Sequence, residues 1–274
     1  MRANYLLTIL FCLTCHIGLV QEFDIRISGR LILGIHEERT ASVASGDIDG
    51  DGDIDIMVAN GRHWPGQNKV FINDGAGNFT QTLTFGTEGD STIDVEVADM
   101  DGDGDLDLVL ANRDAQPNHV YLNNGNLEFT EKIGFGTGAD HTRSVGVGDL
   151  DQDGLLDIIC ANVNQENVIY FGSKEVPYSQ SVVLDSIKVR SFALSLADLD
   201  GDDDLDIVVG NSGGPNEVYL NAGAGKSWKR TILAEEDFNT YDIITADLNG
   251  DGLPDIIEAN SDKINRYYFN RTKR

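Results

Sequence analysis

The sequence predicts an all-β chain, folded as a β-propeller of five four-stranded blades with the N-terminal strand closing the last blade. Three observations carry this. An acidic nine-residue segment recurs five times, starting at Asp47, Asp99, Asp149, Asp198 and Asp247, so the spacings are 52, 50, 49 and 49 residues. Between copies lie short runs rich in β-branched and aromatic residues, broken by Gly, Asn and Asp, with no sustained helical periodicity. The last repeat stops one strand short, while an orphan strand precedes the first. A fixed period of this size marks an array of one supersecondary unit. Four short strands in about 50 residues fit a propeller blade.

Residues 1–20 have the form of a secretory signal. Arg2 supplies the positive start, and Leu6 to Val20 form an apolar stretch of 15 residues, short for a membrane span. Residues 21–274 are expected to form one propeller domain, with repeat cores at 40–85, 92–136, 142–187, 191–235 and 240–270. Residues 23–33 are expected to complete the last blade, which would cover two sheet edges at once. Cys12 and Cys15 fall in the signal, so Cys160 is the lone cysteine of the mature chain, set in an apolar run as a buried small hydrophobe. No intrachain disulfide is then possible, which leaves metal ions to act as staples.

Each acidic segment offers oxygen ligands at positions 1, 3, 5, 7 and 9. The first set is Asp47, Asp49, Asp51, Asp53 and Asp55, and the second is Asp99, Asp101, Asp103, Asp105 and Asp107. The third is Asp149, Asp151, Asp153, Leu155 and Asp157, and the fourth is Asp198, Asp200, Asp202, Asp204 and Asp206. The fifth is Asp247, Asn249, Asp251, Leu253 and Asp255. Position 7 can use its backbone carbonyl, so leucine is tolerated there. Glycine at position 6 permits the left-handed backbone that a tight turn requires. Hard oxygen donors exclude the usual zinc chemistry and favour Ca²⁺ over Mg²⁺. Up to five structural Ca²⁺ ions are expected, with weaker sites in the fourth copy, where Asp203 replaces glycine, and in the fifth, where Asn249 lowers the charge. An EF-hand would need an acid at position 12 and flanking helices. Here position 12 is Val58, Leu110, Cys160, Val209 or Glu258, and strands flank the loop.

The chain carries 46 Asp plus Glu against 20 Lys plus Arg, a formal charge of −26. Nucleic acid is a poor partner for such a surface, and no membrane insertion is expected once the signal is cleaved. Localisation is expected to be secreted, which makes the sequons at Asn78 and Asn270 usable for glycosylation.

These segments resemble the FG-GAP and VCBS repeat families, whose best-known member is the integrin α-subunit head. The resemblance rests on Asp-x-Asp-Gly-Asp-Gly-x-x-Asp, the aliphatic strand after it, Asn-x-Val-Tyr-Leu-Asn, and the run ending in Asn78-Phe-Thr80. It implies a calcium-binding propeller with ions between the first two strands of a blade and partners on the opposite face. Integrin heads have seven blades and longer repeats, and no Gly-Ala-Pro triplet occurs here, so the VCBS type is the nearer likeness.

The face opposite the acidic loops is expected to hold a ligand face drawn from Arg39, Arg62, His63, Trp64, His141 and Arg190. Trp64 either projects as an anchor or folds back over its own blade. A hydroxyl column, Thr40, Thr92, Thr142, Ser191 and Thr240, fits turn chemistry at strand starts. The expected function is recognition or adhesion, with glycan or extracellular protein as partner. A polysaccharide lyase or hydrolase using His141, and a structural subunit of a larger assembly, are the alternatives. The scattered histidines and the lack of a nucleophile motif weigh against an enzyme.

Overall fold

The computed structural model describes residues 32–272. Among them there is no helix, and none therefore long and apolar enough to cross a membrane. The first sheet is β1 (Ser42–Gly46), β2 (Asp55–Ala59), β3 (Asn68–Ile72) and β4 (Gln81–Phe85), paired antiparallel in that order. The second is β5 (Thr92–Ala98), β6 (Asp107–Asn112), β7 (Asn118–Leu122) and β8 (Glu131–Phe135). The third is β9 (Thr142–Gly148), β10 (Asp157–Asn162), β11 (Val168–Tyr170) and β12 (Ser181–Val183). The fourth repeat gives β13 (Ser191–Ala197), β14 (Asp206–Gly214), β15 (Glu217–Asn221) and β16 (Trp228–Ile232). The fifth gives β17 (Phe238–Ala246), β18 (Asp255–Asn260) and β19 (Arg266–Tyr268). Bridges Ser212↔Asn239 and Gly214↔Phe238 join the last two repeats into one seven-stranded sheet. The arrangement is propeller-like. The strand expected over 24–33 lies outside the described residues save for Ile32 and Leu33, which are not in a strand.

The aliphatic strands of the second, third and fourth repeats are apolar on both faces because each packs between two neighbouring repeats. In β6, Leu108 and Leu110 join Met57 and Val70 of the first sheet, while Val109 and Ala111 join Ile158 and Cys160 of the third. All four of these β6 residues are fully buried. Burying such a side chain contributes about 1.5–3 kcal/mol. Ile159 and Ile169 pack with Ile207 and Tyr219, and Val208 and Val218 with Ile243 and Ile256. At the fifth repeat the pattern breaks: Ile244, Tyr267 and Phe269 are exposed.

A polar chain also runs from sheet to sheet. Asn68 Oδ1 accepts the N–H of Asn60 at 2.8 Å, and Asn68 Nδ2 donates to Thr92 Oγ1 in the next sheet at 2.8 Å. Asn118 does the same with Asn112 at 2.7 Å and Thr142 at 2.8 Å. Asn167 joins Asn162 and Ser191, both at 2.9 Å, and Asn216 joins Asn211 and Thr240, both at 2.8 Å. The hydroxyl column, expected as turn chemistry, is thus the receiving half of a bolt between repeats. Its members from Thr92 to Thr240 are buried, so satisfying these groups matters more than it would at a surface turn.

Candidate metal centres

The acidic loops join the first two strands of each repeat, at one end of the strands. The turn is built by its own carboxylates. Asp47 Oδ2 accepts the N–H of Gly52 at 2.9 Å, and Asp51 Oδ1 accepts that of Asp53 at 3.0 Å. The same two bonds recur in the other four loops, ending with Gly252 to Asp247 at 2.8 Å and Leu253 to Asp251 at 2.9 Å. Position 6 takes a left-handed backbone in every copy: φ is 97° at Gly52, 100° at Gly104, 86° at Gly154, 71° at Asp203 and 82° at Gly252. Position 4 does so too, including Gln152 at 60°.

Positions 1, 3 and 9 converge. Carboxylate oxygens of Asp47, Asp49 and Asp55 lie within 4.8 Å of one another, as do those of Asp99, Asp101 and Asp107. So do those of Asp149, Asp151 and Asp157, and of Asp198, Asp200 and Asp206. The position 5 carboxylates, Asp51, Asp103, Asp153, Asp202 and Asp251, fall outside these triads. In the fifth loop, Asn249 puts an amide between Asp247 and Asp255.

The donor set fits a hard divalent cation. Asp47 Oδ1, Asp151 Oδ1 and Asp200 Oδ1 are buried without a hydrogen-bond partner. Unpartnered buried carboxylate oxygens facing two other carboxylates are a costly arrangement unless a counter-ion joins them. Burial and neighbouring carboxylates push Asp107, Asp157 and Asp206 each up to about 6. They also raise Asp49, Asp101, Asp151 and Asp200. Asp247 in the fifth loop is instead held low, chiefly by the N–H of Gly252.

Position 9 has a second duty that the sequence did not reveal. Asp107 Oδ2 accepts the N–H of Met100 at 2.8 Å and its Oδ1 that of Asn123 at 2.8 Å. The pattern recurs at Asp55, Asp157, Asp206 and Asp255. One buried carboxylate therefore ties the loop to the end of the third strand of its repeat. Asn123 then donates to the Ile48 carbonyl of the preceding loop at 2.8 Å, so neighbouring loops are locked together. Asn221 and Asn270 repeat this with Leu150 and Leu199. At the sequon Asn270 the amide nitrogen is therefore engaged, whereas Asn78 is exposed and bonded only to Asp74.

At the other end of the strands, two loop sets are bonded to each other within each repeat. Arg62 N–H donates to Arg39 O, Arg113 to Ser91, Val163 to His141, Ser212 to Arg190 and Ser261 to Asn239. The six expected ligand-face residues are not gathered in one site. Arg39 lies 5.5 Å over the Trp64 ring, which is 63 % exposed beside Pro65 and Gln67. His63, His141 and Arg190 are exposed, and Arg190 lies 5.2 Å over Phe192. Arg62 lines a separate cavity of about 380 Å³ at the start of β1, β5, β9, β13 and β17, whose wall includes Asp94, Arg143, Phe192, Tyr241 and Asp242. His141 is not part of that wall. Sequence reasoning missed Arg143, Phe192 and Tyr241. Each directly follows a member of the hydroxyl column, and the strong variation at that position was the available signal.

Successive repeats of this kind, each opening on an acidic oxygen loop, define an acidic-loop repeat protein. The FG-GAP-like repeat matches at residues 47–110, 99–160 and 198–258, more than half of the chain, and the chain belongs to that family. No curated protein sequence matches significantly. Among solved structures, the chain is similar to an Agrocybe aegerita lectin described as recognising non-reducing terminal N-acetylglucosamine. The TM-score is 0.55 and the identity 21 %, over 79 % of this chain and 59 % of the lectin. It is also similar to the V. cholerae biofilm matrix protein Bap1, with a TM-score of 0.46 and 19 % identity, over 81 % of this chain and 35 % of that one. The chain thus spans little more than half of the lectin's length and about a third of Bap1's.

Proposed function

We propose that this is a secreted Ca²⁺-binding propeller of five blades, closed by residues 23–33, that acts as a recognition or adhesion module for glycan or extracellular protein. The observation that carries the reading is the division of labour between the two strand ends. One end holds convergent carboxylates tied into the framework, and the other holds exposed, non-repeating side chains on loops that are bonded to each other. Rigid loops on a metal-stapled frame suit recognition, because little ordering entropy is lost on binding. The lectin similarity is consistent with a glycan ligand. The cations are structural, since the position 9 aspartates that would hold them also fix strand ends. A site at 100 times its dissociation constant adds about 2.7 kcal/mol to stability.

The test is to screen the mature chain against a broad glycan panel and an array of extracellular proteins, in Ca²⁺ and in chelator. Discrete hits that vanish in chelator are expected. A folded, Ca²⁺-loaded chain that binds nothing on either would overturn the recognition reading.

A further inference from the structure

The cavity at the starts of β1, β5, β9, β13 and β17 has a composition unlike the rest of the molecule. In β9, β13 and β17 the register shifts at Arg143, Phe192 and Tyr241, so each of these sits on a bulge. A bulge re-aims a side chain that regular pleating would send elsewhere. Here all three are in the cavity wall together with the residue that follows each, Ser144, Ala193 and Asp242. The same shift falls at Ile93 of β5, also in the wall, so the bulge is a feature of the repeat that aims one position of four strands at this cavity.

Its charges are unusual too. Acids outnumber basic residues by 46 to 20 in this chain, yet neither Arg62 nor Arg143 pairs with a carboxylate among the described residues. Of the cavity's two acids, Asp94 is engaged by neutral donors, its Oδ2 accepting from Ser144 Oγ at 2.9 Å and from the Val145 N–H at 3.1 Å, and Asp242 Oδ1 accepts the Ile243 N–H at 2.9 Å. Arg143 is half-buried and lies 5.0 Å over the Phe192 ring, which meets Tyr241 edge to face at 5.3 Å. Burial works most strongly against its charge; Tyr241 and Asp94 oppose that effect, and Arg113 and Arg62 add to it. A bound anion able to take both guanidiniums directly would add to the support that Asp94 gives from a distance.

We propose that this cavity binds the carboxylate-bearing terminal sugar of an acidic glycan, with Arg62 and Arg143 taking the carboxylate and the Phe192–Tyr241 pair the sugar's C–H face. Asp242 accepts a sugar hydroxyl. An acidic peptide would use the arginines but has no call on the Asp242 carboxylate and the aromatic pair. The volume suits one sugar unit, near the low end of the ~300–1,000 Å³ of ligand pockets. The proposal rests on the recognition reading above.

The test titrates the Ca²⁺-loaded mature chain with methyl glucuronide, methyl glucoside and tetraglutamate, followed by NMR. The glucuronide is expected to bind about tenfold or more tightly than the glucoside, since a hydrogen bond to a charged group contributes on that scale. Arg143→Gln should bring it to the glucoside level. So should Arg62→Gln, which alters an exposed, unpaired side chain and so leaves folding intact. Equal binding of the two sugars, or retention by both variants, overturns the proposal. Tetraglutamate binding as tightly as the glucuronide overturns it in favour of an acidic peptide. If panel glycans bind but both variants keep them, the recognition reading stands and this cavity is not its site. If no glycan or protein binds the folded chain, both fail.

Discussion

Position 6 of the acidic loops is where one residue's backbone decides the turn. Gly104 sits at φ 100° with open space around the place a Cβ would occupy, so the demand there is purely conformational. Asp203 meets the same demand at 71° with a side chain attached. Replacing it by glycine, Asp203→Gly, should raise stability by about 1 kcal/mol, because a non-glycine residue in this region costs that much. Denaturant unfolding in chelator measures it, and an unchanged midpoint would show that the aspartate is unstrained. Asn118 is a second decisive residue, since it serves Asn112 and Thr142 at once. Asn118→Ala should cost about 2–3 kcal/mol by orphaning two buried groups, whereas loss of a mere surface turn residue would be near neutral.

Within the loop element, proton and cation compete for the same oxygens. Asp107, Asp157 and Asp206 have folded values of about 6 against an ordinary 3.8. Without metal, the folded state therefore binds protons more tightly than the unfolded one. Stability in chelator should be greatest below about pH 4 and fall as pH rises through about 6. With Ca²⁺ present the cation replaces the proton, and stability should instead rise over that window. Thermal unfolding in Ca²⁺ and in chelator across this range checks it; superimposable profiles would mean the triads bind no cation. The loops and the aliphatic strands were legible in the sequence because each carries its cause locally: carboxylates at fixed spacing, and apolar runs that only a sheet packed on both faces can use. The Asn–Thr bolts were not. Asn and Thr at strand ends look like turn formers, and only the stacking of Asn118 on Thr142 of the next repeat gives them their partner. The cavity was legible still less, since Arg143, Phe192 and Tyr241 hold one position of the repeat with unrelated side chains, and Arg62 reaches the cavity from a different loop of the first repeat.

At the level of the whole molecule, the fifth repeat has three strands among the described residues, and Ile244, Tyr267 and Phe269 are exposed. If residues 23–33 supply the missing strand, a chain beginning at Gly34 should melt roughly 5 °C or more below the mature chain. It should also self-associate through the uncovered edge, seen by light scattering. Equal melting and a monomeric state would count against closure by that segment.

The Asn bolts also give the molecule a direction in time. Each amide reaches forward, from Asn68 to Thr92, from Asn118 to Thr142, from Asn167 to Ser191 and from Asn216 to Thr240. On the ribosome, every newly emerged repeat carries an amide whose acceptor has not yet been synthesised. Such a repeat cannot finish burying its own ends, so it stays loose until its successor arrives. Maturation then proceeds as a relay from the N-terminal side, with each repeat released from this incompleteness by the next. At the fifth repeat, Asn265 holds the N–H of Asn260 at 2.8 Å, as its counterparts do in the earlier repeats.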